Sequence, residues 1–288
     1  MLKNYVVITK PGIITGNLIS TSAGFFLAAK SEPASVFLFF NTLVSVALVI
    51  GSGCVINNIF DRDIDKKMSR TKNRPLVVGD INVDHAFVYA LILLLIGTAL
   101  LYQATNPLSA VIVLLGYIFY VFFYTMWYKR TSVYGTLVGS LSGAVPPLVG
   151  YLAVTNYISL EAVLLFLLFC VWQMPHSYAI AMFRMQDYAD AGIPVLPIEK
   201  GIEKARKHMM AYVIVFNLIA FLLYLFGHTG YEYLIVSAGV CFMWTRVTFG
   251  RMNSDNYIEW SKSVFKMSLV VVMGVSAVLG LELIPAVM

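Results

Sequence analysis

Charge is scarce in this chain. Of its 288 residues only 12% are Asp, Glu, Lys or Arg, while 59% are hydrophobic. A water-soluble domain carries about twice that charged share, so a soluble enzyme is excluded and an integral membrane protein is implied. Cysteine is sparse as well. Cys54, Cys170 and Cys241 stand singly in apolar stretches, which excludes a disulfide framework or a thiolate metal cage and leaves them as small buried hydrophobes. No linker or low-complexity tract breaks the sequence, and residues 1–288 read as one polytopic membrane domain. The net charge of +5 belongs to topology and anionic headgroups and excludes a nucleic-acid partner.

What fills the chain is apolar runs long enough to cross a ~30 Å hydrocarbon layer as helices. About nine can be read, at 13–29, 36–57, 84–102, 108–127, 134–154, 160–182, 209–227, 231–249 and 264–284. The weakest are the first, broken by Asn17 and Ser20, and the eighth, which approaches Arg246. Lys3 and Lys10 ahead of an apolar run ending Leu27-Ala28-Ala29 have the outline of a signal peptide. Pro11-Gly12 opens that run as a helix start would, so it is read as a retained span. With the N-terminus inside, 19 of the 20 lysines and arginines fall on the cytoplasmic side and only Lys30 falls outside. That bias fixes the expected orientation.

Acidic residues then stand out by position. Asn57, Asp61 and Asp65 follow the second run at intervals of four, which keeps them on one helical face. Three oxygen donors at a helix end suit Mg²⁺, which takes a few carboxylates and completes its octahedron with phosphate oxygens. The bland alternative is a solvated loop. Against it stands the basic stretch Arg70-Thr71-Lys72-Asn73-Arg74-Pro75-Leu76, in which Lys72 and Arg74 are candidates to neutralise a diphosphate. A second connection, 128–133, holds Lys129 and Arg130 at the membrane surface, either as diphosphate ligands or as topological anchors. Gly135, Gly139, Ser140, Ser142 and Gly143 then predict close helix contact, and Pro146-Pro147 an interruption.

The third connection follows Trp172-Gln173-Met174-Pro175-His176-Ser177-Tyr178. Pro175 predicts a kink. His176, ionisable within an apolar span, is a functional candidate by default, with a packing histidine as the alternative. Arg184 and Asp187 either pair with each other at i, i+3 or contribute to a second acidic cluster. Phe60, Tyr124 and Tyr178 are candidates to stabilise a carbocation through their ring faces.

Asn57-x3-Asp61-x3-Asp65 followed by Arg70 to Leu76 resembles the first signature of the UbiA superfamily of intramembrane prenyltransferases. The stretches Ser132 to Pro147, Trp172 to Tyr178, Asp187-Tyr188 and Gly192 to Pro197 are similar to the heme-farnesylating branch of that superfamily. The resemblance implies an all-α bundle with a central apolar cavity opening near the cytoplasmic face of a bacterial inner membrane. It implies Mg²⁺ as cofactor and farnesyl diphosphate and heme B as substrates, with a farnesyl group and water added to a heme vinyl group to give heme O. It carries Asn57, Asp61 and Asp65 over as metal ligands, Asp61 and Asp65 also as catalytic. Lys72, Arg74, Lys129 and Arg130 become diphosphate ligands. The usual second Asp-x3-Asp signature is missing. Asp187-x2-Asp190 is the nearest acidic pair, which makes Asp187 the candidate second metal site. His176 stands where that signature begins in other members, and imidazole is a usual heme-iron ligand. His176, Tyr178 and Arg184 are therefore the candidate heme contacts, His176 as iron ligand or as proton acceptor. A heme A synthase or terminal-oxidase assembly enzyme is the implied partner.

Two other readings differ in acceptor or in class. One is a prenyltransferase acting on a quinone precursor or another aromatic ring. The other is a secondary transporter, which would place its coupling acids near the bilayer midplane on interrupted helices; here they lie at helix ends.

Overall fold

The computed structural model describes residues 2–253 and 255–281; the end of the last expected span, 282–284, lies outside them. Every regular element among the described residues is helical. Nine long helices are designated α1 Pro11–Ala28, α2 Val36–Phe60, α3 Val83–Ala104, α4 Pro107–Thr131, α5 Gly135–Thr155, α6 Leu160–Phe183, α7 Ile202–Leu225, α8 Tyr231–Thr248 and α9 Tyr257–Leu281. Side-chain caps set several starts. Ser35, Asn82, Asn106 and Ser159 accept from the first-turn amides of α2, α3, α4 and α6, satisfying donors that have no partner within the helix. Pro11 and Pro107 sit at first helical positions, where the missing N–H costs nothing.

Seven of the nine, α2 to α7 and α9, are long and apolar enough to cross a membrane; α1 and α8 are not among them. The expectation of nine spans is therefore met by length and apolarity in seven places, with 18-residue helices in the first and eighth. In α1 the polar groups are turned on the helix itself. Asn17 donates to Ile13 O, Ser20 and Thr21 to Asn17 O, and Ser22 to Leu18 O, which leaves few polar groups unsatisfied.

Each helix packs on the next, and α9 returns to α1, so the nine close a ring; α1 also crosses onto α5, and α6 onto α9. The α1–α5 crossing needs glycine. A Cβ on Gly150 would overlap the Thr21 carbonyl oxygen and stand 3.0 Å from Phe25 N, and one on Gly24 would overlap the Pro147 carbonyl. In a bilayer, where lipid tails are as apolar as leucine, such backbone approach is what holds helices together. Bulky apolar side chains cover the outer face, Ile235 and Phe242 being 71% and 68% exposed.

Two interruptions shape the interior. The α4 backbone turns π-helical over Phe119–Tyr128, a distortion that re-aims side chains and recurs at functional sites. Helix α5 breaks at Ala144, between Gly135–Gly143 and Val145–Thr155, as the proline pair predicts. Helix α6 runs unbroken through Pro175, since a proline deletes only one rung of the ladder.

Candidate active site

The ring encloses a cavity of about 680 Å³. Apolar groups line most of it, and charge collects at one end. Two carboxylates, Asp61 and Asp65, meet four cations there, Lys10, Arg70, Arg74 and Lys129.

Helix α2 delivers the acids. Its assignment ends at Phe60, yet Asp61 N bonds Asn57 O at 2.9 Å and Asp65 N bonds Asp61 O at 2.7 Å. The i to i−4 register thus continues into the short helix Arg62–Asp65, and Asn57, Asp61 and Asp65 all face the cavity. All three are buried, at 4%, 1% and 3% exposure, so each needs partners. Asn57 Nδ2 donates to Asp61 Oδ2 at 2.8 Å and to Thr125 Oγ1 at 3.1 Å. Lys129 Nζ donates to Asp61 Oδ2, and Arg74 Nη1 to Asp65 Oδ2 at 2.6 Å. Asp61 Oδ1 is buried without a hydrogen-bond partner, although Arg130 stands 3.7 Å away.

Asp63 shows what its neighbours are spared. It points outward, pairs with Arg130 through both oxygens at 2.8 Å, and does not line the cavity. The Arg130 hydrogen bond holds its carboxyl down at about 2.

The remaining candidates separate. Lys129, Arg74 and His176 line the cavity; Arg130, Lys72, Asp187, Arg184 and Tyr178 do not. Lys72 is exposed. Asp187 Oδ1 accepts from Ser69 N at 3.1 Å and Ser69 Oγ at 2.8 Å, so it ties the third connection to the first. Arg184 is exposed and lies over the Phe183 ring rather than on Asp187. Tyr178 is buried among His208 and Tyr212. Of the aromatic candidates, Tyr124 faces the cavity, together with Tyr117 and with Tyr120, on which it stacks at 5.7 Å; Phe60 is 41% exposed on the outside.

Lys10, a cavity residue, reads in the sequence as one more topological base. It precedes α1 in a left-handed conformation (φ 55°), uncommon for a residue with a side chain. It is carried to Asn57 Oδ1, to which its amine donates. Burial lowers that amine to about 8. Arg70 also lines the cavity, in a stretch where the sequence favours Lys72 and Arg74. A base directly before Pro-Gly, on the side of the acids, was the available signal for Lys10.

One wall is thin. Ile13 and Ile19 of α1 and Leu269 and Met273 of α9 line the cavity while remaining 46%, 38%, 37% and 57% exposed. Nothing lies within 4 Å of a Cβ built on Gly12 or Gly16. Helices α1 and α9 meet at their C-terminal ends, Phe26 against Gly280, and the cavity is open beside the four exposed residues.

The sequence profile of the UbiA prenyltransferase family matches residues 17–270. The chain belongs to the UbiA prenyltransferase family. Among relatives of this family member, protoheme IX farnesyltransferase 1 of Vibrio campbellii is 76% identical over 99% of this chain and 98% of its own. Protoheme IX farnesyltransferase of Edwardsiella ictaluri is 48% identical over 98% and 95%. Among solved structures, digeranylgeranylglyceryl phosphate synthase superimposes with a TM-score of 0.79 at 22% identity, covering 97% of this chain and 98% of that one. A UbiA homologue from Archaeoglobus fulgidus, bound to DMAPP and Mg²⁺, gives 0.74 at 17% identity, over 93% and 99%. At these identities the likeness is one of fold, and it places this UbiA member in an all-helical membrane architecture.

Proposed function

We propose that the chain transfers a farnesyl group from farnesyl diphosphate to a vinyl group of heme B, with addition of water, to give heme O and diphosphate. One observation carries the reading. Two buried carboxylates with a free oxygen stand against four cations at the end of an apolar cavity, in a chain 76% identical to a protoheme IX farnesyltransferase.

Among the described residues no three His, Cys, Asp or Glu side chains converge on a point. A divalent ion would therefore rest on Asp61, Asp65 and the Asn57 amide, leaving its other positions to phosphate oxygens, as Mg²⁺ prefers. When bound there, Mg²⁺ supplies Lewis-acid stabilisation of the departing diphosphate. Lys129 and Arg74, which hold the carboxylates, also present N–H donors to the leaving oxygens, with Arg70 and Lys10 adding positive charge. As the C1–O bond breaks, Tyr117, Tyr120 and Tyr124 offer ring faces to the allylic cation, and the apolar walls keep water from it. The terminal vinyl carbon of heme attacks C1. Water then adds to the carbon next to the pyrrole and loses a proton.

The side opening between α1 and α9 is the entry for oily substrates, and the charged end faces the cytoplasm of a bacterial inner membrane. The distribution of Lys and Arg supports that orientation, with the N-terminus on the same side. A heme A synthase or terminal-oxidase assembly enzyme is the expected consumer of the product. The test is incubation of the solubilised protein with heme B, farnesyl diphosphate and Mg²⁺. A heavier, more hydrophobic porphyrin is expected. Prenylation of an aromatic acid with heme B left unchanged would overturn the reading.

A further inference from the structure

In the wall of the same cavity, α6 and α9 build a second arrangement. His176 Nδ1 lies 2.8 Å from Ser268 Oγ. With the Ser268 hydroxyl proton directed to Phe265 O, the shorter of its two contacts at 2.6 Å, the oxygen accepts from His176 and the imidazole proton sits on Nδ1. Ser268 is itself held, since its carbonyl accepts from Trp172 Nε1 at 2.8 Å. The imidazole stands between two rings, Trp172 at 4.8 Å and 27° and Phe265 at 4.9 Å and 36°. Its rotation is fixed and its unprotonated Nε2 is left without a protein hydrogen bond among the described residues, on a side chain that lines the cavity.

A proton acceptor and an iron ligand make different demands on such a ring. A base becomes an imidazolium, which buried in apolar surroundings needs a counter-charge. Among the described residues no carboxylate lies within ion-pair distance of His176. A ligand stays neutral and needs only its Nε2 lone pair, with Nδ1–H held by an acceptor that fixes tautomer and orientation.

We propose that His176 Nε2 is an axial ligand to the iron of the heme acceptor, and that Ser268 is the positioning residue that fixes it. This rests on the heme-farnesylating reading and adds the place in the cavity where the porphyrin docks.

The experiment is a spectral titration of the detergent-solubilised full chain with ferric heme B, without farnesyl diphosphate. The wild type should give an imidazole-ligated Soret and visible spectrum. His176→Ala should lose it and regain it with added imidazole. Ser268→Ala should bind heme about 10-fold more weakly, the size expected for losing the partner of a ligating histidine, and Ser268→Thr, which keeps the hydroxyl, should restore it. Farnesyl diphosphate binding by His176→Ala, measured separately, should be unchanged, which reports that the variant is folded. A wild-type spectrum and affinity in His176→Ala would overturn the ligand assignment. A wild-type protein that makes heme O yet shows no imidazole-ligated spectrum would overturn it too, while leaving the proposed reaction standing. Absence of heme O from wild type would instead strike the reaction.

Discussion

Replacing Asp61 with asparagine separates charge from shape. The amide keeps the side-chain volume, and its oxygen can still accept from Lys129. What disappears is a negative charge 1% exposed, with one oxygen unpartnered and the Arg130 guanidinium 3.7 Å away. At an effective dielectric of about 20, two unit charges at that separation interact by roughly 4.5 kcal/mol. A divalent ion in direct contact would feel at least as much. Even about 4 kcal/mol lost from stabilisation of the departing diphosphate lowers turnover roughly 10³-fold. The matched control is Asp63→Asn. That carboxylate is 63% exposed and pairs with Arg130 outside the cavity, and exposed pairs are worth only about 0.2–1 kcal/mol. Its turnover should change less than about fivefold. The assay is initial rate of heme O formation, separated by reversed-phase chromatography, with size exclusion in detergent to confirm the fold. If Asp61→Asn runs within about tenfold of wild type, or Asp63→Asn is equally impaired, the assignment of the inward carboxylate is wrong.

Lys129→Met and Arg74→Met each remove a charge-assisted donor from the cavity and should raise the KM for farnesyl diphosphate by about 10- to 100-fold. Lys72→Met, on the exposed outside, should leave it within about twofold. Chelation with EDTA should abolish turnover, and Mg²⁺ should restore it in wild type but not in Asp61→Asn; activity that survives exhaustive chelation would refute the metal role. Gly150→Val puts a side chain into the Thr21 and Phe25 backbone and should cost at least about 1–3 kcal/mol, seen as a lowered Tm in detergent. Gly239→Ala, with nothing within 4 Å, should not.

Much of this was legible in the sequence because the periodicities that carry it are local. Four-residue spacing put Asn57, Asp61 and Asp65 on one face, and the structure keeps that register through the break at Asp61. Small residues in α5 foretold close contact, and Tyr124 packs 3.1 Å from a Cβ position at Gly139. What stayed hidden depends on meetings far apart in the chain. Lys10 and Asn57 are 47 residues apart, His176 and Ser268 are 92 apart, and Ser69 and Asp187 are 118 apart. No local pattern marks such pairs. Lys72 and Arg70 could not be ranked from sequence either, because the turn between Asp65 and Pro75 decides which base faces inward. The polar residues of α1 weakened its reading as a span, since hydropathy cannot tell that their hydrogen bonds close on their own backbone.

The gap beside Ile13, Ile19, Leu269 and Met273 makes the surrounding medium a competitor. Acyl chains in a native bilayer, and alkyl tails of a surfactant after extraction, can slide into the same groove as the isoprenoid. Apparent affinities measured in micelles should then track the length and concentration of the surfactant tail, and comparisons between variants hold only when that occupant is kept constant.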